Sequence, residues 1–271
     1  MATTIATIDK ASTTGSALKR FKLLLASNFL MYVRNKAAMF WVVVFPVGLM
    51  LVFGALYGNG PIDPSSPNSF TIISYLTPGL IVLSLMSNGL VGNAATMANY
   101  REKGILKRIQ TTPLPVWQLI MARVVMQATL IVGQAAIMLL VSVVVFNARY
   151  DWVGVLEATP WIVLGALMFM AMGQAIAALV KKVDTVGIVA QVINFPLMFL
   201  GGLWVMQSQM PVWLQSVSNW LPSTMVSNLV RAPMLQSMHL EPSMPMALSV
   251  LGVLFYIVAS VAISARFFKW G

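Results

Sequence analysis

The chain has 271 residues, of which 17 are Lys or Arg and 7 are Asp or Glu, so 9% are charged, against about 25% in soluble domains. Apolar residues make up 59% and the mean hydropathy is +0.84. That is more hydrophobic surface than one core buries, which excludes an ordinary soluble enzyme. Cysteine is absent, which removes disulfides and thiolate metal sites. The net charge of +10 has to be located along the chain before it is read as nucleic-acid binding.

Residues 1–16, rich in Thr, Ser and Ala, read as a mobile cytoplasmic tail. From 17 to 37, Leu18, Phe21, Leu25, Phe29 and Tyr32 recur at spacings of 3 and 4 among Lys19, Lys22, Arg34 and Lys36. This predicts an amphipathic helix lying in the cytoplasmic interface. The first apolar core begins near residue 38 and is too long for the h-region of a cleaved signal peptide. Stretches without Asp, Glu, Lys, Arg or His then run over 37–62, 64–100, 124–148, 158–180, 185–230 and 242–265. Each accommodates the roughly 20 apolar residues that a spanning helix needs. The predicted cores of the six spans are 39–56, 73–97, 124–146, 161–180, 185–206 and 247–265.

Lys and Arg concentrate in short cytoplasmic segments. Placing the N-terminus inside leaves only Arg149 and Arg231 on the outer side, where Asp63, Asp151, Glu157 and Glu241 also fall. Both termini are then cytoplasmic. The basic excess reads as orientation and contact with anionic membrane lipids, with no nucleic-acid partner expected.

Between spans two and three lies the densest charged segment, 100–115. Gly104 turns the backbone, Ile105 and Leu106 offer a small apolar tip, and Pro113 and Pro115 end any helix before them. On these residues alone it is a short cytoplasmic protrusion or a loop that holds topology. The outer segment 207–246 carries Pro211, Trp213, Leu214, Val217, Trp220, Leu221 and Pro222. This pattern predicts one or two short amphipathic helices dipping into the outer leaflet. His239 reads as an ordinary loop residue.

No Gly-Lys dipeptide occurs, so this sequence contains no P-loop. One His, no Cys and no clustered carboxylates leave no candidate catalytic residue, metal site or cofactor site. No ionisable group lies near a span centre, which speaks against a proton antiporter. The spans do hold Ser84, Ser87, Asn88, Asn93, Gln134, Gln174, Gln191 and Asn194. Such groups hydrogen-bond between helices at about 1 kcal/mol each; with Met86, Phe195, Met198 and Phe199 they equally suit the lining of an apolar passage. Pro196 and Gly201-Gly202 predict a bend or early end of span five, a candidate gate. Ala171/Ala175 and Gly173/Ala177 permit close helix approach in span four.

The run Arg101-Glu102-Lys103-Gly104-Ile105-Leu106-Lys107-Arg108-Ile109, followed by Thr112-Pro113, closely resembles the signature after the second span of ABC-2 type transporter permeases. The resemblance covers the chain beyond residue 16. It implies an all-α integral membrane protein, like the type V exporters, with six transmembrane helices, an N-terminal interfacial helix and outer re-entrant half-helices. It further implies a permease that homodimerises and binds two copies of a cytoplasmic ABC ATPase, which would hold the ATP and Mg. Tyr100, Arg101, Glu102, Lys103, Gly104, Ile105 and Leu106 would form the coupling helix, with Lys181, Lys182 and Asp184 as a second contact. Relatives carry acids just before the Arg; Asn99-Tyr100 stand there in this sequence, leaving Glu102 as the segment's carboxylate. Met86, Asn88, Asn194, Phe195, Pro196 and Phe199 would border the pathway.

The resemblance is strongest to the drug and antibiotic exporter branch, with daunorubicin-type permeases as its pattern. It implies multidrug efflux, antibiotic resistance and a bacterial or archaeal cytoplasmic membrane. Export of a lipid-linked polysaccharide and a non-transporting membrane assembly or sensor subunit are the alternatives.

Overall fold

The computed structural model describes residues 34, 36–57, 60, 71–104, 116–203, 207–236 and 243–267. The expected tail at 1–16, most of the interfacial helix at 17–37, the tip residues Ile105 and Leu106, and His239 lie outside the described residues. Among the described residues the secondary structure is helical.

Helix α1 covers 36–57 and contains a π-helical turn, Phe40–Val44, in which the Phe45 N–H donates to Phe40 O. Pro46 follows directly. It has no N–H to offer Val42, and the wider turn absorbs that break in the ladder. Helix α2, Ile72–Glu102, begins where the Thr71 side chain accepts from the Ser74 N–H at 3.2 Å. It contains a second π turn, Ser87–Gly92. Helices α3 (Val116–Phe146), α4 (Trp152–Leu179), α5 (Val183–Leu200), α6 (Val212–Asn219), α7 (Pro222–Met234) and α8 (Met246–Phe267) follow.

Among the described residues five helices are long and apolar enough to cross a membrane: Ile72–Glu102, Val124–Phe146, Trp152–Leu179, Val183–Leu200 and Met246–Phe267. The apolar part of α1, Val42–Tyr57, is shorter, although α1 as a whole runs over 36–57. Helix α4 begins earlier than the span expected from 161. Asp151 caps it by accepting from the Val153 and Gly154 N–H groups at 3.0 and 3.4 Å, and Glu157, which ended the charge-free stretch, stays exposed. Helix α5 stops at Leu200, short of the expected 206, because Gly202 takes φ +63° just past its end.

The long helices alternate in direction. Near the start of α2, Ser74 Oγ accepts from the Arg149 N–H between α3 and α4 at 3.3 Å. Gly54, near the end of α1, lies against the ring of Phe146 at the end of α3. The opposite end of α2 meets the α4–α5 turn. The bundle therefore has a Thr71 end and a Glu102 end.

Helix α4 is the hub, with α2, α3, α5, α7 and α8 all packed on it. Small residues set the closest approach: a Cβ on Gly89 of α2 would lie 2.7 Å from Phe169 Cβ, and one on Gly173 would lie 2.5 Å from Gly89 O. Asn93 of α2 crosses the same seam, donating from Nδ2 to Met170 O at 2.7 Å. Gly173 thus does what its small-residue spacing predicts, while Gly165, packed on Val226 of α7, extends the pattern. The spans α2 and α4 bury 61% and 56% of their most apolar windows, but α5 and α8 only 22% and 17%. The latter two present their apolar faces outward.

Candidate functional site

At the Glu102 end, α2 terminates and Gly104 adopts φ +63°, a left-handed conformation that glycine takes without strain. Arg101 sits in the last turn and turns inward. Its Nη1 donates to Ala177 O at 2.8 Å, and its Nη2 to Val180 O and Lys181 O at 2.8 and 2.7 Å. Ala177 O and Val180 O belong to the last turn and cap of α4, where carbonyls lack a partner within the helix and concentrate negative partial charge, and Lys181 O lies in the turn just beyond. Arg101 is therefore a tie between α2 and the α4–α5 turn. Sequence reasoning expected it to face a partner, and nothing in its type or spacing announced this use.

The tie brings the two expected contact segments together. Arg101, Glu102, Lys181, Lys182, Val183 and Asp184 line one cleft of about 280 Å³. Glu102, Lys103, Lys181, Lys182 and Asp184 are exposed, while Tyr100 and Gly104 are half-buried. Asp184 lies in the first turn of α5, where the helix dipole favours a carboxylate. The cleft mixes both charge signs on a rim that ends two transmembrane helices.

The expected pathway residues divide. Met86 and Asn194 are buried inside the bundle, and Asn88 is half-buried with its Nδ2 donating to Ser84 O at 2.9 Å. Phe195 and Phe199 are 50% and 51% exposed, and Pro196 is exposed with them on the outward face of α5. Within one chain the six therefore divide between the interior of the bundle and the outward face of α5.

At the Thr71 end the structure builds something that the sequence reading counted only as a topology marker. Arg231 is buried on α7. Its Nη1 donates to the Tyr75 hydroxyl at 3.0 Å and its Nη2 to Gly202 O at 3.1 Å. The guanidinium carbon lies 3.8 Å from the Tyr75 ring centroid. Gly79 of α2 makes the room: a Cβ there would meet Leu203 O and Arg231 Nη2. A recoverable signal was present in Ser223, Ser227 and Arg231, which repeat every fourth residue after a helix-starting Pro222. The expected outer half-helices correspond to α6 and α7, and Trp213 and Trp220 are exposed, at 68% and 66%.

Apolar helices long enough to span, packed in alternating directions, define a multi-pass membrane protein. The sequence profile of the ABC-2 type transporters matches residues 19–235, and the chain belongs to that family of membrane transporter subunits. It is similar to a Bacillus subtilis (strain 168) protein named as a transport permease, YvfS, with 25% identity over 193 residues, 70% of this chain and 75% of that protein. It is also similar to the inner membrane transport permease YadH of Escherichia coli (strain K12), with 24% identity over 174 residues, 64% of this chain and 65% of YadH. A third relative from the same strain, YbhR, carries a multidrug ABC transporter permease name. There the identity is 24% over 147 residues, 54% of this chain but only 39% of YbhR.

Proposed function

We propose that this chain is the transmembrane subunit of an ATP-driven exporter that moves a hydrophobic or amphipathic, drug-like molecule out of the cytoplasm or the inner leaflet. A separate ABC ATPase would bind ATP and Mg and dock at the Glu102 end. The carrying observation is the single cleft that joins Arg101 and Glu102 to Lys181, Lys182 and Asp184. Two segments 80 residues apart in the chain are tied there by hydrogen bonds to one guanidinium, so a push on either reaches both α2 and α5. The apolar, Met-rich spans suit adaptable contact with greasy cargo, and the printed name of YbhR points the same way.

Orientation follows from charge. Among the described residues Arg34, Lys36, Arg101, Lys103, Lys181, Lys182 and Arg266 gather toward the Glu102 end, and Arg149 and Arg231 lie at the other. Basic residues concentrate on the cytoplasmic side, so in this reading the Glu102 end and both termini face the cytoplasm of a bacterial or archaeal cell and α1 completes a six-span layout. The exposed Phe195, Pro196 and Phe199 face of α5 would meet a second copy of the chain, closing a pathway that a single chain leaves divided.

The test is co-purification with candidate ATPases, followed by cargo-stimulated ATP hydrolysis in liposomes. Glu102→Ala and Gly104→Pro are expected to uncouple hydrolysis from export while insertion is kept; proline cannot adopt the positive φ of Gly104. Unchanged export in both variants removes the coupling assignment.

A further inference from the structure

Ser223, Thr224, Ser227, Asn228 and Arg231 form one broad polar arc along α7, and its two flanks are treated differently. On one flank the chain satisfies itself. Thr224 Oγ1 and Ser218 Oγ share a hydrogen bond at 3.2 Å, Asn228 Nδ2 donates to Ser243 Oγ at 2.8 Å, and Ser243 Oγ donates back to Asn228 Oδ1 at 3.0 Å. On the other flank Ser223 Oγ, Ser227 Oγ and Arg231 Nε are buried without a hydrogen-bond partner in the chain. That flank lies between α2 and the end of α5: a Cβ on Gly201 would meet Ser223 Oγ, and one on Gly79 would meet Arg231 Nη2.

Ser249 Oγ on α8, Gln134 Nε2 on α3 and Asn194 Oδ1 on α5 are also buried without a partner. Each is a single uncharged group, which one internal water satisfies. Ser249 stands one turn from Gly252, which packs on Met225, so it belongs to the apolar side of α7. The row on α7 differs because it ends in a charge. Arginine keeps its proton, and the groups bonded to Arg231 are neutral, the Tyr75 hydroxyl and Gly202 O. Asp151, whose N–H donates to Met234 O at the end of the same helix, uses its carboxylate to cap α4. Among the described residues no carboxylate is bonded to the guanidinium.

An Nε–H only donates, so an acceptor completes it, and a buried cation without a countercharge favours an anionic one. The Arg231 side chain leans back over the preceding turn, toward Ser227. Nε beside an Nη is the edge of the fork that grips a carboxylate or phosphate with two parallel bonds, and a hydroxyl one turn away supplies a third. The walls are α2 and α5, both apolar enough to cross a membrane. They suit a hydrocarbon tail and not a hydrated ion.

We propose that Arg231 and Ser227 bind the acidic headgroup, phosphate or carboxylate, of a single-chain amphiphile, and so set an anionic preference in what the protein carries. This rests on the exporter reading for calling the amphiphile cargo and for placing the site toward the outer side. The binding itself does not depend on that reading.

The purified chain in phosphatidylcholine nanodiscs is tested with radiolabelled dodecyl phosphate by scintillation proximity. Saturable binding is expected, displaced by laurate and not by dodecyltrimethylammonium or inorganic phosphate at the same concentration. Arg231→Lys keeps the charge and loses the fork, and is expected to weaken binding about tenfold, the worth of one charge-assisted hydrogen bond. Ser227→Ala should weaken it several-fold. Arg149→Gln removes an exposed charge at the same end and should leave it unchanged. Where Arg231→Lys does not run as a single species in gel filtration, Ser227→Ala carries the test. No saturable binding, equal displacement by the ammonium amphiphile, or full affinity in the site variants overturns the proposal. Displacement by inorganic phosphate would make the ligand a free ion, and loss of binding in discs that contain phosphatidylglycerol would make it a resident lipid; either overturns the assignment to cargo. Failure of the exporter reading shows elsewhere: a chain that captures no ATPase would still bind dodecyl phosphate through Arg231.

Discussion

The two ends of α2 each hold an arginine, about 40 Å apart for 26 residues of helix, and the protein treats them differently. At the Glu102 end Arg101 stays half-buried and all its described bonds go to backbone carbonyls at or just beyond one helix terminus. At the Thr71 end Arg231 is buried and divides its bonds between a side chain of α2 and the backbone after α5, with Nε unpartnered. The first arrangement uses a helix terminus that needs a donor in any conformation, so it suits a permanent joint. The second holds a charge away from water across a seam of separate elements, so it suits a joint that opens.

The difference can be broken or sharpened by substitution. The largest effect is expected for Arg231→Ala, which removes the hydrogen bonds to the Tyr75 hydroxyl and to Gly202 O, at about 1–3 kcal/mol each. Purified protein should lose about 4 kcal/mol of stability in thermal or denaturant unfolding. A loss no greater than that of Arg101→Ala would erase the distinction between the ends.

The next concerns Tyr150, between α3 and α4 at the Thr71 end. Burial pushes its phenol up to about 12, against the opposing hydrogen bonds of Ser142 and Thr77. With the folded value above the ordinary 10.0, stability is complete below pH 10 and falls as pH rises toward 12, by up to about 3 kcal/mol. Unfolding followed against pH should show that loss, and Tyr150→Phe should remove it.

Arg101→Ala is expected to cost about 2 kcal/mol and to speed amide hydrogen exchange selectively over 180–186, with Lys restoring part of the protection. Glu102→Ala, at an exposed position, should change stability by no more than about 0.5 kcal/mol. A larger change would mean that Glu102 belongs to the joint and not to the docking surface.

Much of the fold was legible because bilayer-spanning segments declare themselves by length and charge depletion. The stretch at 247–265 matches α8 closely, and 124–146 is the apolar part of a longer α3 that starts at Val116. The discrepancies arise where a local device overrides composition. The Asp151 cap starts α4 within a charged stretch, and Gly202 ends α5 within an apolar one. Of the site, the sequence brought 100–106 and 181–184 into one reading by resemblance, and Arg101 and Glu102 of the first segment line one cleft with Lys181, Lys182 and Asp184 of the second. It did not reveal what Arg101 does, because a guanidinium bonded to carbonyls far along the chain leaves no trace in spacing. Nor did it separate Met86 and Asn194 from Phe195 and Phe199. Hydrophobicity is the same whether a side chain faces a neighbouring helix or faces outward, so exposure had to come from the packing.

The most direct measurement is site-specific cross-linking in host membranes, with single cysteines at Glu102, Asp184 and Arg149 and a short sulfhydryl-to-amine reagent. The expected result is that Glu102→Cys and Asp184→Cys capture the same nucleotide-binding protein while Arg149→Cys, at the opposite end, captures none. Capture from Arg149→Cys, or none from either cleft position, would contradict the assignment of the Glu102 end as the seat of the ATPase.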